Sequence, residues 1–189
     1  MRRGCPDNII LIGMPGAGKS SIGVLLAKRL GYQFVDTDLL MQGEAHCRLQ
    51  QIIAHHGLAA FKELEERVVC RLAPHRTVVA TGGSVVYSEP AMAHLKAVGR
   101  VVYLELPLDE LQRRVRNMDS RGLVIDPGES FADLYARRTP LYRSHAGLTI
   151  ACGGHRPEEI AAAIEKSLCD APGQAPVRPG DAGISCNRG

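Results

Sequence analysis

Hydrophobic residues along the chain fall into short runs that are separated by longer amphipathic stretches. The runs have about the length of strands, and most of their residues are β-branched. This alternation is typical of an α/β protein with a central parallel sheet. The strands are predicted at Asn8–Ile12, Gln33–Asp36, Thr77–Ala80, Arg100–Glu105 and Leu148–Ala151.

The stretches between the strands predict helices with recognisable ends. Glycines follow the first two, and a proline precedes the last. One helix carries apolar residues at helical spacing, and its charged residues, Glu65 among them, are predicted to occupy the other faces. The predicted helices are Lys19–Leu30, Arg48–His56, Phe61–Leu72 and Leu108–Arg116.

Composition is that of one ordinary globular domain. The chain has 189 residues, of which 45% are hydrophobic and 23% charged. We expect the domain to span residues 1–169. Residues 170–189 contain three prolines and four glycines among few large apolar residues, which predicts a disordered tail.

The net charge of the chain and the length of its apolar runs indicate which partners and which cellular location to expect. A net charge of +3 with scattered arginines gives no basis for a nucleic-acid partner. The apolar run Ile9–Ile12 is far shorter than the roughly 20 residues that a membrane helix needs. We therefore expect a cytoplasmic protein without a membrane partner, and a monomer.

The cysteines give no sign of a metal site or of a disulfide framework. The six lie far apart, with no C-x-x-C pair and no zinc spacing. Free thiols in a reducing compartment are the expectation. The cysteines are Cys5, Cys47, Cys70, Cys152, Cys169 and Cys186.

A phosphate-binding loop follows the first strand. Residues 13–20 read GMPGAGKS, a complete G-x-x-x-x-G-K-S at the start of a predicted helix. Glycines let backbone N–H groups curl around an anion, and the helix N-terminus adds positive charge. Lys19 is predicted to bridge the β- and γ-phosphates of ATP, and Ser20 to hold Mg²⁺. The nucleotide-binding residues predicted here are Gly13, Gly16, Ala17, Gly18, Lys19, Ser20 and Ser21.

Two carboxylates, Asp36 and Asp38, stand where the second predicted strand ends. This is the edge of a parallel sheet at which ligands bind. One carboxylate can serve the metal, and the other can orient or deprotonate an acceptor hydroxyl. An acidic pair in this place can also cap the following helix.

Taken together, five motifs resemble those of the shikimate kinase family from about Asn8 to Leu168. The resemblance implies a P-loop kinase with a three-layer α/β fold, a central five-stranded parallel sheet and a mobile lid at about residues 117–130. It also implies ATP and Mg²⁺ as cofactors and an acceptor-binding region at about residues 38–72. The motifs are GMPGAGKS (residues 13–20), DTD (36–38), FKELEE (61–66), TGGS (81–84) and RTPLY (138–142).

The same resemblance implies roles for single residues. Asp38 is similar to the family's acceptor-side aspartate, Asp36 to the one near Mg²⁺, and Arg138 to an arginine that binds the substrate carboxylate. Lys62 stands at the position of a second such arginine. Arg121 is similar to the lid arginine that reaches the transferring phosphate, which makes Lys19, Asp38 and Arg121 the predicted catalytic residues. The remaining implied contacts are Gly82 and Gly83 toward the substrate and Arg114 and Arg156 toward adenine.

Three departures from the family pattern concern the acceptor and the lid. Lys62 replaces an arginine and offers a point charge instead of a planar fork. Ser84 replaces a glycine and adds a hydroxyl where the backbone should approach the substrate. Gly122 stands where proline is usual and gives the lid more freedom.

The predicted reaction transfers the γ-phosphoryl of ATP to a hydroxyl of a small carboxylate-bearing metabolite, with shikimate as the default acceptor. Lys62 and Ser84 leave homoserine open as an alternative, and gluconate-type and nucleotide kinases share the loop. A nucleotide-binding regulator without an acceptor is the alternative outside enzymes.

Overall fold

The computed structural model describes residues 5–116 and 128–169. All five predicted strands are confirmed with the predicted bounds. The predicted lid and its residues Arg121 and Gly122, like Cys186 and the predicted tail, fall wholly or mostly outside the described residues. The strands are β1 (Asn8–Ile12), β2 (Gln33–Asp36), β3 (Thr77–Ala80), β4 (Arg100–Glu105) and β5 (Leu148–Ala151).

Helices connect the strands, and one of them differs from its prediction. The two helices expected on either side of Gly57 form one element, in which Gly57 interrupts the helical backbone at φ +80°. The second half starts before Phe61 and ends at Cys70, so its prediction was displaced at both ends. The helices are α1 (Lys19–Leu30), α2 (Thr37–Ala45), α3 (Leu49–Cys70), α4 (Glu89–Val98), α5 (Leu108–Arg116), α6 (Phe131–His145) and α7 (Pro157–Cys169), with a 3₁₀ turn at Val85–Tyr87.

The strands pair in the order β2-β3-β1-β4-β5, and all pairs are parallel. From β1 the chain moves one way to β2, and it then returns the other way through β3, β4 and β5. Right-handed crossovers place connections of opposite direction on opposite faces of the sheet. Helix α1 therefore covers one face, where it packs against α7, and α3, α4 and α6 cover the other.

Two apolar clusters stabilise the described part of the chain. The larger contains β1, of which every residue is buried, and the residues that α1, α4, α6 and α7 turn toward the sheet. The smaller joins α2 to α3 through Met41, Ile52, Phe61, Leu64 and Val68. It lies within the region predicted to bind the acceptor. None of the described helices has the length and apolar character required to cross a membrane.

The two ends of the described chain are joined by a disulfide between Cys5 and Cys169, with Cα atoms 4.4 Å apart. The expectation of six free thiols was therefore wrong for this pair. The partners are 164 residues apart in sequence and meet only because α7 returns alongside the start of β1, so no local spacing announces the bond. Cys47, Cys70 and Cys152 are free.

Reduction of this disulfide should destabilise the protein. Closing a loop of this length removes about 5 kcal/mol of chain entropy from the unfolded state in the simplest model. We expect dithiothreitol and Cys169→Ser to lower the thermal midpoint by similar amounts, whereas Cys70→Ser, at an exposed free thiol, should leave the oxidised midpoint unchanged. Thermal melts with and without reductant measure this, and equal midpoints in the two conditions would contradict the cross-link.

Candidate active site

Three of the sequence motifs meet at the carboxyl edge of the sheet. The loop at residues 13–20 follows β1, the DTD segment ends β2, and the TGGS segment follows β3. Because β2, β3 and β1 are neighbours in the sheet, the three segments line one cavity of about 940 Å³. Predicted site residues on its wall are Gly16, Gly18, Lys19, Ser20, Ser21, Asp38, Gly82, Gly83, Arg114 and Arg138.

Left-handed glycines form the phosphate loop. Gly16 has φ +82° and Gly18 has φ +91°, and Gly18 is the N-cap residue of α1. The Lys19 ammonium donates to the backbone carbonyls of Gly13 at 2.8 Å and Met14 at 2.9 Å. The lysine thus spans the loop from inside, with its charge at the centre of the curve. Gly13 and Ala17, although part of the same loop, do not line the cavity.

Burial lowers the pKa of Lys19 to about 8, against the opposing effect of the Asp38 carboxylate and with a further lowering by Arg138. A buried ammonium beside a second cation is an unfavourable arrangement that an anion would relieve. The loop therefore holds a positive charge in position for a polyanionic ligand.

Asp36 uses both carboxylate oxygens. One accepts the N–H of Asp38 at 3.0 Å and caps α2, and the other accepts the Ser20 hydroxyl at 2.7 Å. The two interpretations of the acidic pair are thus compatible, because the cap and the contact with the phosphate loop belong to the same side chain.

Asp38 points into the cavity from the first turn of α2. Burial raises the pKa of its carboxyl to about 6, and Asp36 adds to this, whereas Lys19 acts in the opposite direction. A carboxylate with a raised pKa is a stronger proton acceptor than an exposed aspartate. The arrangement can accept a proton or a hydrogen bond from a hydroxyl bound between Asp38 and Lys19.

At Gly82 and Gly83 the backbone lies close to charged side chains. A Cβ on Gly82 would overlap the Glu65 carboxylate and lie 3.0 Å from Oδ1 of Asp38, and one on Gly83 would lie 3.0 Å from the Arg138 guanidinium. A side chain at either position would require these charged groups to move. The glycines therefore leave room for both charged groups beside the backbone that faces the cavity.

Glu65 is buried among these residues, which corrects the prediction that it lies on a polar helix face. It is only 3% exposed, and its Oε2 accepts the hydroxyl of Ser84 at 2.6 Å. Its Oε1 has no hydrogen-bond partner within the described structure. The available signal was its spacing, because Glu65 lies one helical turn after Phe61 and one turn before Val69, on the apolar stripe. The hydroxyl that Ser84 adds in place of a glycine donates to this carboxyl.

Glu65 should make stability fall as pH rises. Burial raises its pKa to about 7, with the Ser84 hydrogen bond opposing. The folded state therefore keeps a proton that the unfolded state has lost between pH 4.5 and about 7, so the free energy of unfolding decreases through that window. Glu65→Gln removes this proton linkage and should flatten the dependence. Urea unfolding from pH 5 to 8 measures it, and parallel curves for the two proteins would contradict the assignment.

Arg138 is 1% exposed and is fixed by aromatic residues. Its Nε donates to the Tyr87 hydroxyl at 3.1 Å, and its guanidinium lies 5.1 Å from the centre of the Tyr87 ring. The Tyr142 hydroxyl donates to the Gly83 carbonyl at 2.7 Å. A buried guanidinium on the cavity wall is suited to a carboxylate ligand.

The remaining predicted site residues differ in whether they line the cavity. Arg114 lines the cavity, with its guanidinium 3.5 Å from the carbonyl of Gly16. Lys62 is exposed, lies 5.3 Å from the centre of the Tyr87 ring and is absent from the cavity wall. Arg156 is exposed, is paired with Glu159 and does not line the cavity. The structure does not bring these last two cations to the cavity.

Comparisons with known proteins point to one family. The family model described as shikimate kinase matches residues 15–169. A shikimate kinase of Thermobifida fusca is 40% identical over 161 residues, which are 84% of this chain and 93% of the relative. One of Chlorobium chlorochromatii is 39% identical, over 86% of this chain and 93% of the relative.

A solved structure gives the same result for the fold. The shikimate kinase from Acinetobacter baumannii in complex with shikimate superimposes with a TM-score of 0.80 at 31% identity. The match covers 87% of this chain and 93% of that one.

Proposed function

Because this chain belongs to the shikimate kinase family, we propose that it transfers the γ-phosphoryl group of ATP to a hydroxyl of shikimate. The observation that carries the proposal is a single cavity whose wall carries the Lys19 ammonium, the Arg138 guanidinium and the Asp38 carboxylate. Such a cavity can hold a triphosphate and a small carboxylate-bearing alcohol side by side.

The donor side is the phosphate loop. Its backbone N–H groups and Lys19 bind the phosphates of ATP, and Arg114 lies where it can reach the nucleotide beyond Gly16. Lys19 exchanges its two carbonyl partners for phosphate oxygens, which compensate its buried charge better than carbonyls do.

Ser20 and Asp36 fit a magnesium ion. A hydroxyl oxygen and a carboxylate oxygen 2.7 Å apart beside a phosphate loop are the hard oxygen donors that this ion prefers. Ser20 would hold the ion directly and Asp36 would act beside it. When bound, the ion neutralises negative charge on the phosphate oxygens.

The acceptor side positions one hydroxyl. Arg138 binds the acceptor carboxylate, and the backbone at Gly82 and Gly83 contacts the ring of shikimate. Asp38 accepts a hydrogen bond from the reacting hydroxyl. As the hydroxyl oxygen forms its bond to the γ-phosphorus, the bond from that phosphorus to the β-phosphate oxygen breaks, ADP leaves, and Asp38 takes up the hydroxyl proton.

An acceptor panel tests this function. ADP formation by the purified protein with MgATP should rise strongly on adding shikimate and far less on adding homoserine or gluconate. Stimulation by homoserine instead would replace the acceptor while keeping the kinase. Tight ATP binding without stimulation by any member would favour a nucleotide-binding regulator and overturn the proposal.

A further inference from the structure

Arg48 lies on the wall of the active-site cavity, although nothing in the sequence motifs singles it out. It is the N-cap residue of α3, and its neighbours Leu49 and Gln50 line the same part of the cavity. The side chain is exposed, so its guanidinium is accessible to a ligand that enters.

Helix capping does not explain an arginine at this position. N-cap residues are usually Ser, Thr, Asp or Asn, because a side-chain oxygen can accept an N–H of the first turn. Arginine has no acceptor, and its positive charge is unfavourable at the N-terminus of a helix. The local hydrogen bonds of Arg48 involve its backbone: its N–H donates to Oε1 of Gln51 at 2.9 Å, and its carbonyl accepts from the N–H groups of Gln51 and Ile52. Its side chain makes no capping hydrogen bond to the helix.

The guanidinium also lacks a protein partner within the described parts of the chain. Every other arginine whose side chain is described has an ion pair, a hydrogen bond or an aromatic ring as partner. These are Arg29, Arg67, Arg71, Arg76, Arg100, Arg113, Arg114, Arg137, Arg138, Arg143 and Arg156.

Of the cations on the cavity wall, Arg48 is one of two that do not contact the phosphate loop, so it is available to bind the acceptor. Four cations line it against one carboxylate, that of Asp38. Two of them, Lys19 and Arg114, contact the phosphate loop through its carbonyls. The other two are Arg138 and Arg48, whereas Lys62, which resemblance had suggested as the second acceptor cation, lies over the Tyr87 ring and is not among the residues of the wall.

We propose that Arg48 is a second carboxylate-binding residue for the acceptor, in the role that Lys62 was expected to have. The inference rests on the proposed function, since it concerns how shikimate is held. A guanidinium offers paired N–H donors to a carboxylate, so that Arg48 and Arg138 bind the acid from two elements that α3 and α6 contribute. Arg48 thereby selects acceptors that carry a carboxylate.

Arg48→Ser tests the proposal because the substitution should raise the stability of the protein and lower its activity toward shikimate. Serine is a better N-cap, so the variant should be more stable toward urea than the wild type. At the same time kcat/KM for shikimate should fall by roughly 10- to 100-fold, mainly through KM, with little change in KM for ATP. Arg71→Ser, which removes an exposed arginine away from the cavity, is the charge-matched control. A loss on Lys62→Ser with none on Arg48→Ser would assign the role to Lys62 and overturn the proposal.

The methyl ester of shikimate tests whether Arg48 binds the carboxylate of the acceptor. The wild type should prefer the acid over the ester, and Arg48→Ser should lose a large part of that preference, because the residue and the carboxylate are then coupled. An unchanged preference would show that Arg48 does not bind the carboxylate. If the wild type fails to phosphorylate shikimate at all, the proposed function itself fails, which is visible before any variant is made.

Discussion

Lys19→Ala is expected to lower kcat by roughly a thousandfold while the protein stays folded. The carbonyls of Gly13 and Met14 hold the ammonium inside the loop, where it can exchange these partners for phosphate oxygens. Its loss removes the charge that compensates the transferring group. Steady-state ADP formation measures the effect, and circular dichroism checks the fold.

Lys28→Ala is the matched control for this change. Lys28 lies in the last turn of the same helix and is exposed, so its removal should leave turnover intact. Turnover of Lys19→Ala within a few fold of the wild type would remove the lysine from the mechanism.

Burial lowers the pKa of Lys19 to about 8, so the wild type should bind ATP more weakly as pH rises through this value.

Asp38→Asn should lower kcat by about 10²- to 10⁴-fold and leave ATP binding in place. The amide keeps the shape of the carboxyl but cannot take up the hydroxyl proton. In the wild type, burial raises the pKa of Asp38 to about 6, so kcat/KM should fall as pH is lowered through that value and the carboxylate becomes protonated. Acceptor kinetics from pH 5 to 8, together with ATP titrations, measure both effects.

Asp109→Asn gives the comparison, since Asp109 is an exposed carboxylate paired with Arg113 on α5. It should retain full turnover. If Asp38→Asn kept the wild-type rate and pH profile, Asp38 would be a structural residue of α2, and the proton would have to leave by another route.

Local signals predicted the strands and the phosphate loop well. The central strands of a parallel sheet are buried on both faces, as β1 and β3 are throughout, so they appear as short apolar runs bounded by polar residues. The loop is contiguous in sequence, and its glycines and Lys19 act through backbone geometry that eight residues determine. For these features no long-range information was needed.

Features that depend on packing between distant segments escaped prediction. The packing around α3 buries Glu65, leaves Lys62 exposed and places Arg48 on the cavity wall. The Cys5 to Cys169 disulfide depends in the same way on the return of α7 to the start of the sheet. A motif shows which residue types are present, but the direction of each side chain follows from the fold.

The fate of the γ-phosphoryl group tests the account most directly. The purified chain is incubated with shikimate, magnesium and ATP labelled at the γ-phosphate, and the label is followed by chromatography. The account predicts one labelled phosphate ester of shikimate for each ADP formed, with little labelled inorganic phosphate. Label released only to water, or no ADP above the level without shikimate, would contradict a cavity that presents an alcohol to bound ATP.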